Sequence, residues 1–474
     1  MIDLKDLRAN PDKYRQGARA KGSDVDVDAL LAVDAQLREA QQRQQNLAAE
    51  KNRISKEIGQ VMGKLKKAEG QEKAQLEAER DRLQARPNQI KQEQAEAEEK
   101  VAELEPQRDA LWLRVPQPPD EDVPRGESDE DNIELRQWHP DWFDPTQSFE
   151  ANKGFAPRTH MELGRALGLV DFERGVKMAG ARSYVLTGLG QRLHNAVLQL
   201  AFNYMLDEHG FQAMSVPVLV REELMEGTGF FPEGKDQAYQ IKESERGGGY
   251  DLYLTGTSEV GLMGYHKDEI LAHEALPRCY TTISTCFRRE AGAAGKETAG
   301  LYRIHQFDKV EQVVICEADE ALSRRWHETM IGYVETLMQR LELPYRLLQC
   351  CTADLGPKNA DMIDIDTWMP GRGEEDANGR PQGEWGETHS ASRLYDYQCR
   401  RLNLRYRDPE DPKGKKTVYC HSLNNTVIAS PRILIPILEL YQNADGSVTI
   451  PEPLVPYMGG QTRIEPAESK EPSA

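Results

Sequence analysis

Apolar residues recur every seven positions in two stretches near the start of the chain. Leu47, Ile54 and Val61, with Ile58 and Leu65 alongside, form the first, and Leu76, Leu83, Ile90, Ala97, Leu104 and Leu111 form the second. A repeat close to 3.5 residues predicts helices that bury one seam against a neighbour. Glu69-Gly70 lies between the stretches and reads as a turn, so the two helices are expected to form an antiparallel coiled-coil hairpin. At 1.5 Å per residue, helices of roughly 40 residues reach about 60 Å, far enough to project from any domain that carries them. Ala, Gln, Glu, Lys and Arg dominate from Val27 to Leu113, with no aromatic residue until Trp112. Pro87 falls inside the second helix and predicts a kink.

The pattern then changes. Residues 115–132 hold Pro116, Pro118, Pro119 and Pro124 among acidic residues and read as a linker. Beyond it, Gln191–His209 has helical amphipathicity, Phe211–Val220 reads as a strand interrupted by Pro217, Val310–Cys316 as a strand and Ile433–Leu440 as a helix. Strands and helices do not alternate strictly, which favours an α+β fold built on an antiparallel sheet flanked by helices. The expected division is an arm over 1–115, a linker over 116–135, a body over 136–458 and a disordered polar tail over 459–474.

Charge adds one distinction. The 474-residue chain carries 60 Lys/Arg and 79 Asp/Glu, a net of −19, yet residues 1–115 hold 22 of each sign and are neutral overall. Within 42–67, Arg43, Lys51, Arg53, Lys56, Lys64, Lys66 and Lys67 face only Glu50 and Glu57. A basic face on a projecting arm is where a polyanion can land on an acidic protein, although the same charges could simply solvate a coiled coil. The seven cysteines form no C-x-x-C pair and read as reduced thiols of a cytosolic protein. The charged N-terminus and the lack of any 18-residue apolar run predict neither a signal peptide nor a membrane span. Neither G-x-G-x-x-G after a strand nor a P-loop is present.

Chemistry is most concentrated between Phe287 and Glu311. Arg288 and Glu290 close one apolar run, a Gly/Ala loop carrying Lys296 and Arg303 follows, and a second run brings Phe307 and Glu311. Strand residues i and i+2 share a face. Paired as a hairpin, the runs would bring these four side chains to a cleft suited to phosphates and a flat ring; an ordinary hairpin with solvated charges fits the pattern as well. Leu254 to Glu259 places Thr257, Ser258 and Glu259 on a strand or in a capping box. Glu387 and Ser390, with Thr388 and His389 between them, could offer oxygens to a hard cation. Asn424 and Thr426 lie in what reads as a polar turn, and Arg432 precedes a helix, where it could clamp a phosphate.

In this order the stretches resemble the three signature motifs of class II aminoacyl-tRNA synthetases, and the chain as a whole, from Met1 to about Met458, is similar to the bacterial-type seryl-tRNA synthetases. Phe-Arg-Arg-Glu-Ala-Gly at 287–292, His-Gln-Phe-Asp-Lys-Val-Glu at 305–311, the 396–407 stretch and the coiled-coil arm carry the likeness. The resemblance implies a class II catalytic domain that activates L-serine with ATP and transfers it to the 3′ end of tRNA(Ser), with tRNA(Sec) a possible second substrate. It implies Arg288 on the α-phosphate, Arg289 nearby, Glu290 and Phe307 at adenine, Arg432 on the other ring face, and Mg²⁺ on Glu387 and Ser390. Thr388 and His389 would flank the ATP site, and Thr257, Ser258, Glu259, Glu311, Asn424 and Thr426 would line the serine pocket with Arg288. The basic face from Arg43 to Lys67 would hold the tRNA, and the helix and strand around Pro217 would build a homodimer. A catalytically idle tRNA-binding paralogue is the alternative, and retention of Arg288, Glu290, Glu311, Glu387 and Arg432 argues against it.

Three departures from the family pattern stand out. His389-Ser390-Ala391-Ser392-Arg393 replaces Ser-Ser-Cys-Ser-Asn, so His389 and Arg393 either reach phosphate or face away. Val427 to Pro431 replaces a glycine-rich run, putting close backbone approach there in doubt. The Gly371–Gly386 stretch is longer than in the family and reads as a surface insertion.

Overall fold

The computed structural model describes residues 1–292, 300–377 and 379–466, and only the backbone at Asn88; Lys296 and its neighbours in the Gly/Ala loop lie outside the described residues. The chain divides into two compact units, one of residues 3–15 and 23–115, the other of residues 1–2, 16–22 and 116 onward.

In the first unit, α1 (Val27–Leu65) and α2 (Gly70–Arg114) form the hairpin. Asp26 caps α1 by accepting from the Ala29 N–H, and Gly70 takes the left-handed conformation that the reversal requires. Leu47, Ile54 and Ile90 pack together in the seam, and Val61, Ala97 and Leu104 are buried along it. Each fully buried Leu or Ile contributes about 1.5–3 kcal/mol. Arg86 ties the helices, lying 2.9 Å from Glu50 across the seam and 2.7 Å from Glu93 on its own helix. The helix α2 runs without interruption through Pro87 and also through Pro106, so packing along the hairpin offsets the backbone hydrogen bonds the prolines remove.

The second unit centres on an eight-stranded sheet. Its strands are β1 (Ile133–Trp138), β2 (Gln212–Ala213), β3 (Arg278–Phe287), β4 (Gln306–Cys316), β5 (Tyr345–Gln349), β6 (Asp361–Met369), β7 (Glu384–Tyr395) and β8 (His421–Ser430). Their order is β1-β5-β6-β7-β8-β4-β3-β2, antiparallel throughout except where β2 meets β3. The helices α3 (Gly188–Asp207) and α5 (Glu320–Arg340) cover one face. There Leu193, Val197, Met330 and Val334 pack with Val310, Val314, Leu423 and Val427, all at most 1% exposed.

Period-two alternation sends the intervening residues to the other face. Near one end of the strands that face is apolar: Val313 and Ile315 pack with Leu262 and Met263 of α4 (Glu259–Gly264) and Cys399 of α6 (Tyr397–Arg401). Farther along, Phe307, Lys309, Glu311, Asn424 and Thr426 come to the same face, with Glu311 opposite Thr426 and Val313 opposite Asn424. A last short helix, α7 (Leu434–Leu440), follows β8.

Several local expectations change. Only Gln212–Ala213 and Leu219–Arg221 are strand in the stretch 211–220, because Pro217 lacks the N–H a ladder needs. Leu423–Thr426 is no turn but the middle of a central strand. The 116–135 segment packs on the body, with the Gln117 N–H donating to Pro357 O at 2.8 Å and the Asp120 N–H to Ala360 O at 2.9 Å. Within 459–474, Arg463–Ile464 pairs with Val448–Thr449 and Ile464 is 1% exposed, while residues 467–474 lie outside the described ones. The Gly371–Gly386 stretch ends in β7, which begins at Glu384.

Candidate active site

The two runs of the 287–311 segment do pair: β3 and β4 are antiparallel, with Phe287 opposite Gln306 and Cys286 opposite Phe307. Arg288 and Glu290, however, lie past the end of β3, and Glu290 adopts φ +51°. Their convergence therefore comes from the turn and not from strand alternation. The Arg288 N–H donates to His305 O at 3.0 Å, its Nε to Gly256 O at 3.4 Å, and its guanidinium sits 5.3 Å from the centre of the Phe307 ring. One cavity is lined by Arg288, Glu290, Phe307, Lys309, Glu387 and Arg432, with Leu301, Tyr302, Ile304, Thr388, Thr426 and Ala429 completing its wall.

Arg432 is held from two sides. Its Nε donates to Tyr302 O at 3.0 Å and its Nη1 to Glu387 O at 2.9 Å, and the guanidinium lies 4.4 Å from the Tyr302 ring centre. Arg372 stacks on the same ring at 3.7 Å. The Glu387 carboxylate remains largely exposed at the cavity, 3.5 Å from Arg432. Ser390 shares the strand but not the cavity lining; it lies opposite Asp364 across β6 and β7, and the Asp364 carboxyl is pushed well above the usual range by burial and then by nearby Glu387.

At the floor lie buried charges. Lys309 is 5% exposed, with Nζ 2.6 Å from Glu311 Oε2 and donating to Thr257 Oγ1 at 2.9 Å. The Glu311 side chain is fully buried and accepts from Asn424 Nδ2 at 3.0 Å, while Asn424 Oδ1 is buried with no hydrogen-bond partner. Thr257 and Glu259 are not on a strand: Ser258 precedes α4 without a side-chain cap bond and Glu259 is its first residue, so neither a face shared through strand alternation nor a capping box forms. Glu259 is 1% exposed and lies behind the pocket. Lys358 Nζ donates to both its oxygens, at 2.6 and 2.7 Å, and Gln398 Nε2 to Oε1 at 2.6 Å. Burial pushes the Lys358 amine down, and Glu259 opposes that shift.

A family model for the seryl-tRNA synthetase N-terminal domain matches residues 1–119, and one for the tRNA synthetase class II core domain (G, H, P, S and T) matches residues 239–441. A serine–tRNA ligase of Halobacterium salinarum is 39% identical over 98% of this chain and 96% of its own. That of Deinococcus radiodurans is 38% identical over 97% and 98%. The chain belongs to the seryl-tRNA synthetase family. Among solved structures, the seryl-tRNA synthetase of Pyrococcus horikoshii complexed with ATP superposes with a TM-score of 0.84 at 35% identity, covering 99% of this chain and all of that one. The cytoplasmic serine–tRNA ligase of Naegleria fowleri, in complex with AMP, gives 0.79 at 29% identity over 97% and 96%.

Within this seryl-tRNA synthetase fold the residues named from sequence divide clearly. Arg288, Glu290, Phe307, Glu387, Thr388, Thr426 and Arg432 reach one cavity, with Thr257, Glu311 and Asn424 beside its Lys309 floor. Arg289 turns away, donating to Asp236 O at 3.0 Å. His389 is 1% exposed, its Nδ1 2.8 Å from Thr388 Oγ1, and burial lowers it to about 3, so it is neutral. Arg393 is 3% exposed and ion-paired with Asp361 at 2.8 Å and with Asp120. Neither brings charge to the cavity, which settles the first departure from the family pattern. Ala429 answers the second: its small side chain lines the cavity where a glycine-rich run was missed.

Sequence reasoning gave no site role to Lys309, Tyr302, Lys358 or Gln398. For Lys309 a signal existed, since it lies two residues from both Phe307 and Glu311. The others meet their partners only through the fold.

Proposed function

We propose that this cavity activates L-serine with ATP to seryl-adenylate, and that the enzyme then transfers the seryl group to the 3′ end of tRNA(Ser). The observation that carries the reading is the floor: Asn424 Oδ1 is a buried, unpartnered acceptor beside Glu311, a match for the hydroxyl of serine. Thr257 Oγ1 already accepts from Lys309 and, at 3.3 Å, from the Glu259 N–H. Its own proton is left to donate to a substrate oxygen.

Arg288 stands where it can bind the serine carboxylate and the α-phosphate together. Both bear negative charge as the carboxylate oxygen attacks phosphorus and pyrophosphate leaves, so the guanidinium is aimed at charge that concentrates there. Phe307 offers a ring for adenine, with Glu290 an acceptor for its amino group and Arg432 a cation for the opposite ring face or the terminal phosphate. Positioning and electrostatics carry the rate, and no side chain is needed as a general base because the attacking carboxylate is already ionised. Glu387 fits Mg²⁺ as an accessible carboxylate at the cavity, and Ser390, three residues on in the same strand, is the hydroxyl that would join it as a second oxygen ligand if it turned to the cavity. When bound, the cation would neutralise phosphate charge.

All seven basic residues of the arm, Arg43, Lys51, Arg53, Lys56, Lys64, Lys66 and Lys67, are exposed, and none forms an ion pair among the described residues. That supports backbone recognition of tRNA(Ser), by shape and charge, and extends to tRNA(Sec) where the same arm geometry is offered. A homodimer built on α3 completes the reading. Serine-dependent ATP–pyrophosphate exchange tests it. Exchange is expected with serine and Mg²⁺ and not with alanine; no exchange with serine would overturn the assignment.

A further inference from the structure

Ser430 ends β8, two residues before Arg432. Its Oγ lies 2.8 Å from Nδ1 of His194 on α3, and His194 Nε2 lies 3.0 Å from Asp308 Oδ2 on β4. Asp308 Oδ1 in turn accepts from Thr285 Oγ1 at 2.6 Å. An ionised carboxylate can only accept, so Nε2 carries the imidazole proton and Nδ1 presents a lone pair to the Ser430 hydroxyl. Ser430 is 0% and His194 4% exposed. The bonding order is that of a hydrolase triad, but a fully buried hydroxyl that lines no described cavity cannot be a nucleophile.

The chain of bonds has another use. Asp308 sits between Phe307 and Lys309, and Ser430 between Ala429 and the segment bearing Arg432, so one imidazole joins two of the strands that supply the nucleotide cavity. We infer that His194 is a positioning residue for Arg432: through Ser430 it fixes the backbone from which that guanidinium projects, anchored at its other end by Asp308. The relay reaches the surface at Asp308, whose side chain is 32% exposed and lines two cavities of about 580 and 560 Å³ flanking α3. The inference rests on the reading that Arg432 contacts the nucleotide.

Amide substitutions separate the two bonds. In His194→Asn the amide oxygen falls near the Nδ1 position and keeps the Ser430 bond, whereas in His194→Gln the amide nitrogen falls near Nε2 and keeps only the Asp308 bond. In serine-dependent ATP–pyrophosphate exchange, His194→Gln is expected to raise KM for ATP about three- to tenfold, the effect of one neutral hydrogen bond. KM for serine should be unchanged, and His194→Asn should stay within about twofold of the parent. Ser430→Ala, which leaves the imidazole intact, should reproduce the ATP-specific defect. Equal effects of the two amides, or a parallel rise in KM for serine, would mean a general structural role and overturn the inference. Arg432→Ala is the control for the underlying reading: if it leaves KM for ATP unchanged, the nucleotide role of Arg432 fails, whereas an effect there with none from Ser430→Ala refutes the link alone.

Discussion

Replacing Asn424 by alanine tests the proposed serine recognition at its most specific atom. The substitution removes two things: the amide N–H that Glu311 Oε1 accepts at 3.0 Å, and the buried Oδ1 that has no protein partner. Loss of the bond to a charged carboxylate costs about 1.5–3 kcal/mol and bears on any amino acid in the pocket. Loss of Oδ1 bears only on a substrate with a hydroxyl to give. Alanine in the parent enzyme leaves that acceptor unpaired, at a cost of about 1–3 kcal/mol, so Asn424→Ala should narrow the serine-over-alanine ratio by about that much, or 5- to 150-fold. The assay is kcat/KM for each amino acid in ATP–pyrophosphate exchange, from which the loss of transition-state stabilisation follows directly. If serine and alanine fall by the same factor, Asn424 holds Glu311 in place and does not read the hydroxyl, and the assignment of the serine pocket is wrong at its central point.

Three further outcomes are expected. Lys358→Met strips the side chain of Glu259, 2% exposed, of its bidentate partner and should cost about 3–5 kcal/mol in urea unfolding; an unmoved midpoint would show that the pair contributes nothing. Deleting residues 42–100 should spare serine-dependent exchange while abolishing transfer to tRNA, and unchanged transfer would remove the arm from the mechanism. Burial pushes the Lys21 amine, which donates to Gly356 O at 2.9 Å and Asn359 O at 2.5 Å, down to about 7 from 10.5. Across that window the unfolded chain holds a proton the folded chain lacks, so this group makes stability rise with pH above about 7. Thermal melting of Lys21→Met should show a shallower rise than the parent between those values; parallel curves would contradict it.

What could be read from the sequence was what depends on local period. The heptads of α1 and α2 and the pairing of β3 with β4 follow from spacings of seven and two, and both are present. Asn424-Asn425 failed as a turn for an instructive reason. Asparagine favours turns because its side chain competes for nearby backbone. In this fold the two side chains are instead taken up by other partners, Asn424 by Glu311 and Asn425 by Met330 O at 3.1 Å, so both fit a central strand. Thr257 to Glu259 failed similarly, since an i, i+2 pair cannot tell a strand from the first turn of a helix.

The pairing of Lys358 and Gln398 with Glu259 carries no local signal, since they lie 99 and 139 residues away from it. Their positions change the electrostatics of the pocket. Carboxylates in an amino-acid pocket suggest a negative site waiting for an ammonium, yet each of these carboxylates already has its lysine, Glu259 with Lys358 and Glu311 with Lys309. Such a floor is balanced before any substrate arrives. It would attract a lone cation weakly, because the paired charges cancel at a distance. A zwitterion, as the proposed function requires, suits it better: its ammonium could share Glu311 with Lys309 while Arg288 took the carboxylate. Buried pairs of this kind do little for net stability but are costly to break. On the proposed reading their value lies in holding oxygens and protons in fixed places, so that a serine hydroxyl would meet Asn424 and Thr257 already oriented.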